Sequence, residues 1–162
     1  MIKCQDKNTS IIFRNYNKKN IFDEVLEIKK FCKKNNYNFY LANNIELAMK
    51  LDLSGAYIPS FNQDFCHLSY SFKKKFSLIG SAHNLKEINI KKKQKVKKIF
   101  LSSIFKLNKN HLGIYRFKLL SKIIGKDVVA LGGVNYKNIN KVKLLKVSGF
   151  AGISYFNKKG PF

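Results

Sequence analysis

The stretch "VVALGGVN", Val128 to Asn135, decides how this sequence is read. It opens as a continuous apolar run, short enough for a buried strand rather than a helix. Two adjacent glycines follow, and then "YKNINKVKLLKVSG" (Tyr136 to Gly149) places apolar residues at helical spacing. A buried strand passing through glycines into a helix is the unit of a parallel α/β fold. The glycine pair has two physical uses. It permits the positive φ of a tight turn. It also lets backbone N–H groups approach a ligand, while the next helix N-terminus adds unpaired donors and positive potential. Anionic groups, phosphate above all, suit such a cradle.

Working outward, the same alternation runs along the chain. "SIIFRNY" (Ser10 to Tyr16) is β-branched and aromatic and reads as a strand. "IFDEVLEIKKFCKK" (Ile21 to Lys34) reads as a helix, with Phe22, Val25, Leu26, Ile28 and Phe31 at near-helical spacing and Asp23 and Glu24 in its first turn. "YNFYLAN" is the next strand, "NIELAMKLDL" a short helix, and "GAYIPS" a strand ending at Pro59. "FNQDFCHLSYSFKK" reads as a loop or weak helix, "FSLIGSAHN" as a strand and "LKEINIKKKQK" as a helix. "KKIFLSSIF" is a strand, "LGIYRFKLLSKIIG" a helix closed by Gly125, and "FAGISYF" (Phe150 to Phe156) the last strand.

Alternation of this kind predicts a parallel sheet with right-handed crossovers. A doubly wound open sheet and a (β/α)8 barrel both satisfy it. "LDLSGAYI" and "LKVSGFAGI" echo each other, each running from a helix end through Ser-Gly into a strand. Repetition of one unit favours the barrel. The expectation is therefore a single domain over residues 1–162, an α/β TIM-type barrel that lacks or replaces its first strand and lacks its last helix. No convincing strand precedes Ile11.

The chain has 162 residues, and 45% of them are hydrophobic, enough for a real core. No apolar run approaches the ~20 residues of a membrane span, and "MIKCQDKNTS" lacks the apolar stretch of a secretory leader. The reading is a soluble, cytoplasmic protein. Cys4, Cys32 and Cys66 are odd in number and widely spaced, which argues for reduced thiols in or near the core rather than disulfides or a zinc knuckle. The net charge of +23 would attract polyanions. However, the excess is lysine, with Arg14 and Arg116 the only arginines, and Lys, Asn, Ile, Phe and Tyr all have codons rich in A and T. Solvated lysine faces explain the charge better than specific nucleic-acid binding, including the dense run "IKKKQKVKK" (Ile90 to Lys98).

"VVALGGVNYKNINKVKLLKVSGFAGIS" resembles the end of the thiamine phosphate synthase family, which also includes thiazole tautomerases. That family has a strand ending in Gly-Gly-Ile or Gly-Gly-Val, an Asn a few residues on, and Gly-Ala-Asp-Gly-Val at the last strand. Upstream, and in the same order, "IIFRNY" is similar to its Gln-x-Arg-x-Lys strand. "YLANNIELAMKLDLSGAYIPS" is similar to its Ile-Asn-Asp-Arg strand, helix and Asp-Gly-Val-His-Leu-Gly strand. "LIGSAHNLKEI" is similar to its Gly-x-Ser-x-His-x-x-x-Glu segment, and "LSSIFKLNKNHLG" to its Gly-Pro-Ile-Phe-x-Thr-x-x-Lys loop. The resemblance covers Ile11 to Ser154.

The resemblance implies a (β/α)8 barrel and a transferase that joins hydroxymethylpyrimidine diphosphate to thiazole phosphate, releasing pyrophosphate with Mg²⁺ assistance. It implies Arg14 and Ser102 as catalytic residues, with Arg14 on the diphosphate. It implies Asn43, Asn44, Ser81, His83 and Lys109 as substrate-binding residues. Gly132, Gly133, Ile153 and Ser154 would hold the thiazole phosphate through backbone donors. Several positions depart from the pattern. Asn44 stands at the first magnesium Asp and Ile45 at its Arg. Asn62 lies near the second magnesium Asp, with Asp64 close by, so no metal ligand is assigned. Tyr16 replaces the Lys of Arg-x-Lys, Tyr57 and Pro59 replace His and Gly, Ser102 and Ser103 replace Gly-Pro, and Lys106 and Leu107 replace Pro-Thr. A tautomerase would need a His where Ser103 stands. The alternatives to a synthase are a non-catalytic barrel binding a phosphorylated thiamine precursor and, less favoured, a basic RNA-associated protein. The implied partners are small phosphorylated substrates, with no membrane, and a homo-oligomer is compatible with each reading.

Overall fold

Parallel strands impose one requirement on every step of this chain: each helix must stop and return within a few residues to the start of the next strand. The computed structural model describes residues 9–18, 20–125 and 127–157, and these divide into two compact units between Ile79 and Gly80. The first unit holds β1 (Ser10–Phe13), α1 (Phe22–Lys34), β2 (Asn38–Ala42), α2 (Ile45–Lys50), β3 (Gly55–Ile58), a 3-10 turn (Cys66–Ser69) and the start of β4 (Ser77–Ala82). The second holds the end of β4, α3 (Leu85–Lys93), β5 (Lys98–Ser102), α4 (Gly113–Ile124), β6 (Val128–Leu131), α5 (Ile139–Lys143), β7 (Gly149–Ala151) and α6 (Ile153–Asn157).

Strand order follows chain order in each unit, β1-β2-β3-β4 and then β4-β5-β6-β7. Pairing is parallel, for example Phe13 with Leu41 and Tyr40 with Gly55 in the first unit, and Phe100 with Val129 and Ala130 with Phe150 in the second. Burial on both faces explains why β3 and β6 read as continuous apolar runs. In the second unit, Ile99, Leu101 and Ile104 after it pack with Ala82, Ile88, Phe117, Val128, Ala130, Val134 and Val142 in one buried cluster.

The return from helix to strand uses one device repeatedly. Asn36, Asp52 and Lys95 sit at positive φ just past the ends of α1, α2 and α3. In each case the following N–H donates back five residues: Tyr37 to the Cys32 carbonyl, Leu53 to Ala48 and Val96 to Lys91, at 2.9, 3.0 and 3.2 Å. This is the Schellman closure, which satisfies carbonyls that a helix end leaves open. Lys146 and Gly125 adopt positive φ at the ends of the next two helices. The internal echo of the sequence is part of the same construction. Ser54 and Ser148 each donate their N–H to the first or second residue of the strand before, Phe39 and Val128, at 3.1 and 2.8 Å.

Five expectations require correction. The helix expected over "YKNINKVKLLKVSG" is confined to Ile139–Lys143. Asn135, Asn138 and the Gly133 carbonyl form a hydrogen-bonded turn before it. The strand expected through Phe156 ends at Ala151, and Ile153–Asn157 form a short helix, so a helix does follow the last strand. The run Ile90 to Lys98 is not simply solvated, because Lys91 and Gln94 are fully buried, with Lys91 Nζ donating to Gln94 Oε1 at 2.7 Å. Cys32 is buried as expected, but Cys66 is exposed. Cys4, like most of the segment that would replace a first strand, lies outside the described residues. No described helix is long and apolar enough to cross a membrane.

Lys91 occupies the helix position that Cys32 and Ala48 fill in the equivalent closures, and all three are buried. Burial pushes its ammonium down from 10.5 to about 8, with Glu87 opposing in part. Between those values the unfolded chain binds the extra proton, so stability rises with pH, by at most about 1.4 kcal/mol per pH unit. Denaturant unfolding at pH 7 to 10 checks this: Lys91→Met is expected to be the more stable form at pH 7, and wild type to gain on it as pH rises past 8. Lys95→Gly, which removes a side chain from the left-handed region, is expected to add about 0.5–1 kcal/mol, read as an increase of a few degrees in Tm.

Candidate functional site

In an α/β unit, chemistry gathers where strands end and helices begin. At the end of β1 the Arg14 side chain is exposed. Its guanidinium carbon lies over the Tyr16 ring, 5.6 Å from the centroid, and over the Tyr57 ring at 5.9 Å. Tyr16 in turn meets Phe61 edge-on at 5.4 Å. Tyr16 and Tyr57, two departures from the family pattern, are thus the two rings that flank the arginine. Only the i, i+2 spacing of Arg14 and Tyr16 signals this arrangement in the sequence.

The ends of β2 and β3 in the same unit border a cleft of about 180 Å³ lined by Asn43, Asn44, Glu46, Asn62, Asp64, Cys66, His67 and Tyr70 among others. Asn43 adopts φ +58°, a conformation that asparagine tolerates better than most residues. It donates its N–H to the Tyr57 carbonyl at 2.9 Å and accepts from Asn62 Nδ2 at 2.7 Å. Asn44 caps α2, its Oδ1 accepting from the Leu47 N–H at 3.0 Å. Tyr70 donates its hydroxyl to Glu46 at 2.6 Å. Hydrogen bonds from Cys66, its thiol first and then its N–H, hold the Asp64 carboxyl below the usual range and push the thiol up. His67, which sequence reasoning passed over, is buried in the cleft wall.

The donor set does not fit a magnesium site built on two aspartates. The Asn44 oxygen is committed to capping a helix, the Asn62 amide is paired with Asn43, and Glu46 already accepts a tyrosine hydroxyl. Asp64 is the one aspartate in the cleft, and neutral amides are weak ligands for a hard cation. Among the described residues no group of three His, Cys, Asp or Glu could hold a metal ion.

The second unit carries the remaining candidates. Ser81 is buried in β4. His83 follows it, and both its N–H and its Nδ1 contact Glu87 Oε2, at 2.7 and 2.9 Å. Asn84 caps α3, its Oδ1 accepting the Glu87 N–H at 2.9 Å while its Nδ2 donates to Glu87 Oε1 at 3.0 Å. His83 is therefore fixed by helix-start chemistry. Ser102 ends β5 and is half-buried, while Ser103 is fully buried and donates its hydroxyl to the Lys106 carbonyl at 2.9 Å. Lys109 is exposed in the loop that follows. Ile153 is exposed at the start of α6, and Ser154 follows it in that helix.

The glycine pair now has its physical account. Gly132 and Gly133 sit at φ +101° and +79°. A Cβ on Gly132 would lie 2.4 Å from Ser103 Oγ, and one on Gly133 would lie 2.7 Å from the Lys106 nitrogen. The Gly132 carbonyl accepts from the N–H groups of Phe105 and Lys106 at 2.9 and 3.2 Å, and the Gly133 carbonyl from Asn138 Nδ2 at 2.9 Å. The pair is both a left-handed turn and a seat for the loop after β5.

Together these features define a parallel α/β protein with polar side chains gathered at its strand ends. The family description thiamine monophosphate synthase (TMP-TENI) matches residues 3–156, and the chain belongs to that family. It is 29% identical over 146 residues to the thiamine-phosphate synthase of Prochlorococcus marinus subsp. pastoris, covering 88% of this chain and 42% of that protein. It is 26% identical over 132 residues to the thiamine-phosphate synthase of Persephonella marina, covering 78% of this chain and 62% of that one. The chain thus spans less than two thirds of either relative's length. The thiamine phosphate pyrophosphorylase from Pyrococcus furiosus shares its fold, with a TM-score of 0.76 at 16% identity over 93% of this chain and 74% of that one.

Gly132→Ala tests the seating role directly. The left-handed turn and the clash with Ser103 are together expected to cost about 2–4 kcal/mol, seen as a clear drop in the denaturation midpoint with the m-value unchanged.

Proposed function

We propose that the chain is a thiamine-phosphate synthase, joining the hydroxymethylpyrimidine of its diphosphate to the nitrogen of thiazole phosphate and releasing pyrophosphate. The observation that carries this reading is family membership over nearly the whole chain, with Arg14 standing exposed and ring-flanked at a strand end. The finer architecture belongs to the same proposal. The seven described strands answer to a (β/α)8 barrel in which the first strand is lost or replaced.

Within this reading Arg14 supplies in-plane donors to the diphosphate and stabilises the charge that grows on the leaving pyrophosphate. Ser102 supplies a hydroxyl at the end of β5. Asn43, Asn44, Ser81, His83 and Lys109 contact the substrates, and the Gly132–Gly133 turn with Ile153 and Ser154 holds the thiazole phosphate through backbone N–H groups. Mg²⁺ would supply further charge neutralisation when it accompanies the diphosphate, and no residue of this chain is assigned as its ligand. Within this reading the protein works as a soluble, cytoplasmic enzyme. A non-catalytic barrel that binds a phosphorylated precursor is the second reading, favoured by the substitution of both magnesium aspartates by Asn44 and Asn62.

The purified protein, mixed with pyrimidine diphosphate, thiazole phosphate and Mg²⁺, is expected to form thiamine phosphate. Arg14→Ala is expected to lower kcat/KM by about 100-fold or more, as for loss of a charged transition-state donor. Saturable binding of either substrate without product would replace the synthase with the binding protein.

A further inference from the structure

An exposed arginine is a poor anion clamp if its long side chain wanders among rotamers. Arg14 is exposed but not unconstrained. Its guanidinium carbon lies within ~6 Å of two ring centroids, the range of a cation–π contact. The rings come from different parts of the first unit. Tyr57 is a residue of β3, only 3% exposed, and its carbonyl accepts the Asn43 N–H. Tyr16 is 41% exposed and is braced edge-on by Phe61.

A ring engages the face of a guanidinium, whereas its N–H donors lie in the plane and point outward at the edge. Ring contacts of this kind restrict the fork while its hydrogen-bond donors stay available to an oxygen acceptor. They leave it set for two parallel hydrogen bonds to a phosphate group. A lysine two residues after the arginine would add a second cation instead, and this chain has Tyr16 there.

We propose that Tyr16 and Tyr57 are positioning residues that hold Arg14 for a diphosphate, replacing a second positive charge by orientation of the first. The proposal rests on the synthase reading for the identity of the diphosphate. Two ring faces, rather than the tyrosine hydroxyls, do the positioning, so phenylalanine serves as well as tyrosine at either place.

The test is calorimetric binding of inorganic pyrophosphate, together with steady-state kinetics in both substrates, for wild type, Tyr16→Leu, Tyr16→Phe and Tyr57→Phe. Tyr16 is the position to truncate because it is partly exposed, whereas truncating buried Tyr57 would endanger folding. Tyr16→Leu is expected to weaken pyrophosphate about 2- to 5-fold, the range of an exposed cation–π contact. The KM for the diphosphate substrate should rise by the same factor, with the KM for thiazole phosphate unmoved. Tyr16→Phe and Tyr57→Phe should match wild type. Tyr16→Leu binding pyrophosphate as wild type does, a Tyr16→Phe as weak as Tyr16→Leu, or equal rises in both KM values would each overturn the positioning role while leaving the synthase intact. A wild-type protein that binds no pyrophosphate and forms no product would overturn both.

Discussion

A helix that must hand its chain back to a parallel strand has to close its open carbonyls and reverse direction at once. This constraint shapes the protein more than any single core contact. It is met by one residue in the left-handed region and one N–H reaching back five residues, used after α1, α2 and α3. The residue whose backbone carbonyl accepts that N–H then turns its side chain to the buried face. Cys32 and Ala48 fit there as small groups, and Lys91 fits only by surrendering part of its basicity and pairing with Gln94. Strand ends are thereby delivered in sequence, and the polar residues that follow the strands gather at the rim of each unit.

The two glycines after β6 do at that rim what no other residue could. Their turn is left-handed, and their missing side chains are replaced by the backbone and Ser103 of the preceding loop. An anion cradle and a packing seat are commonly treated as rival explanations of a glycine pair. Here the carbonyls serve packing, and the proposed cradle draws on the N–H groups, so the one use does not exclude the other.

Much of the fold was legible in the sequence because periodicity and punctuation agreed. α1 carries acidic residues in its first turn and lysines in its last, and α4 ends at a glycine. The expectations that the structure corrects lie where these signals conflict. "NINKVKLLKV" has helical spacing, but Asn135 and Asn138 spend their side chains on a turn and shorten α5. "GISYF" has strand composition, yet rings of Tyr136 and Tyr155 stack at 4.4 Å and that segment coils into α6. At the candidate site, the positions of Arg14, Asn43 and the glycine pair were read from motif order. The rings around Arg14 and the cap made by Asn44 were not, since both depend on contacts that spacing alone does not encode. The excess of lysine likewise hid Lys91, the one buried lysine among the described residues.

The helix closures carry a further consequence for how the chain reaches this structure. Each joins residues five apart, so it requires almost no chain to be ordered beforehand, and local contacts of this kind form on the microsecond scale or faster. The pairing of β1 with β2 spans a much longer loop, from Ser10 to Asn38. The turns can thus be in place before the strands they deliver have found each other, and the search for strand partners becomes a search among prefolded steps rather than among loose residues.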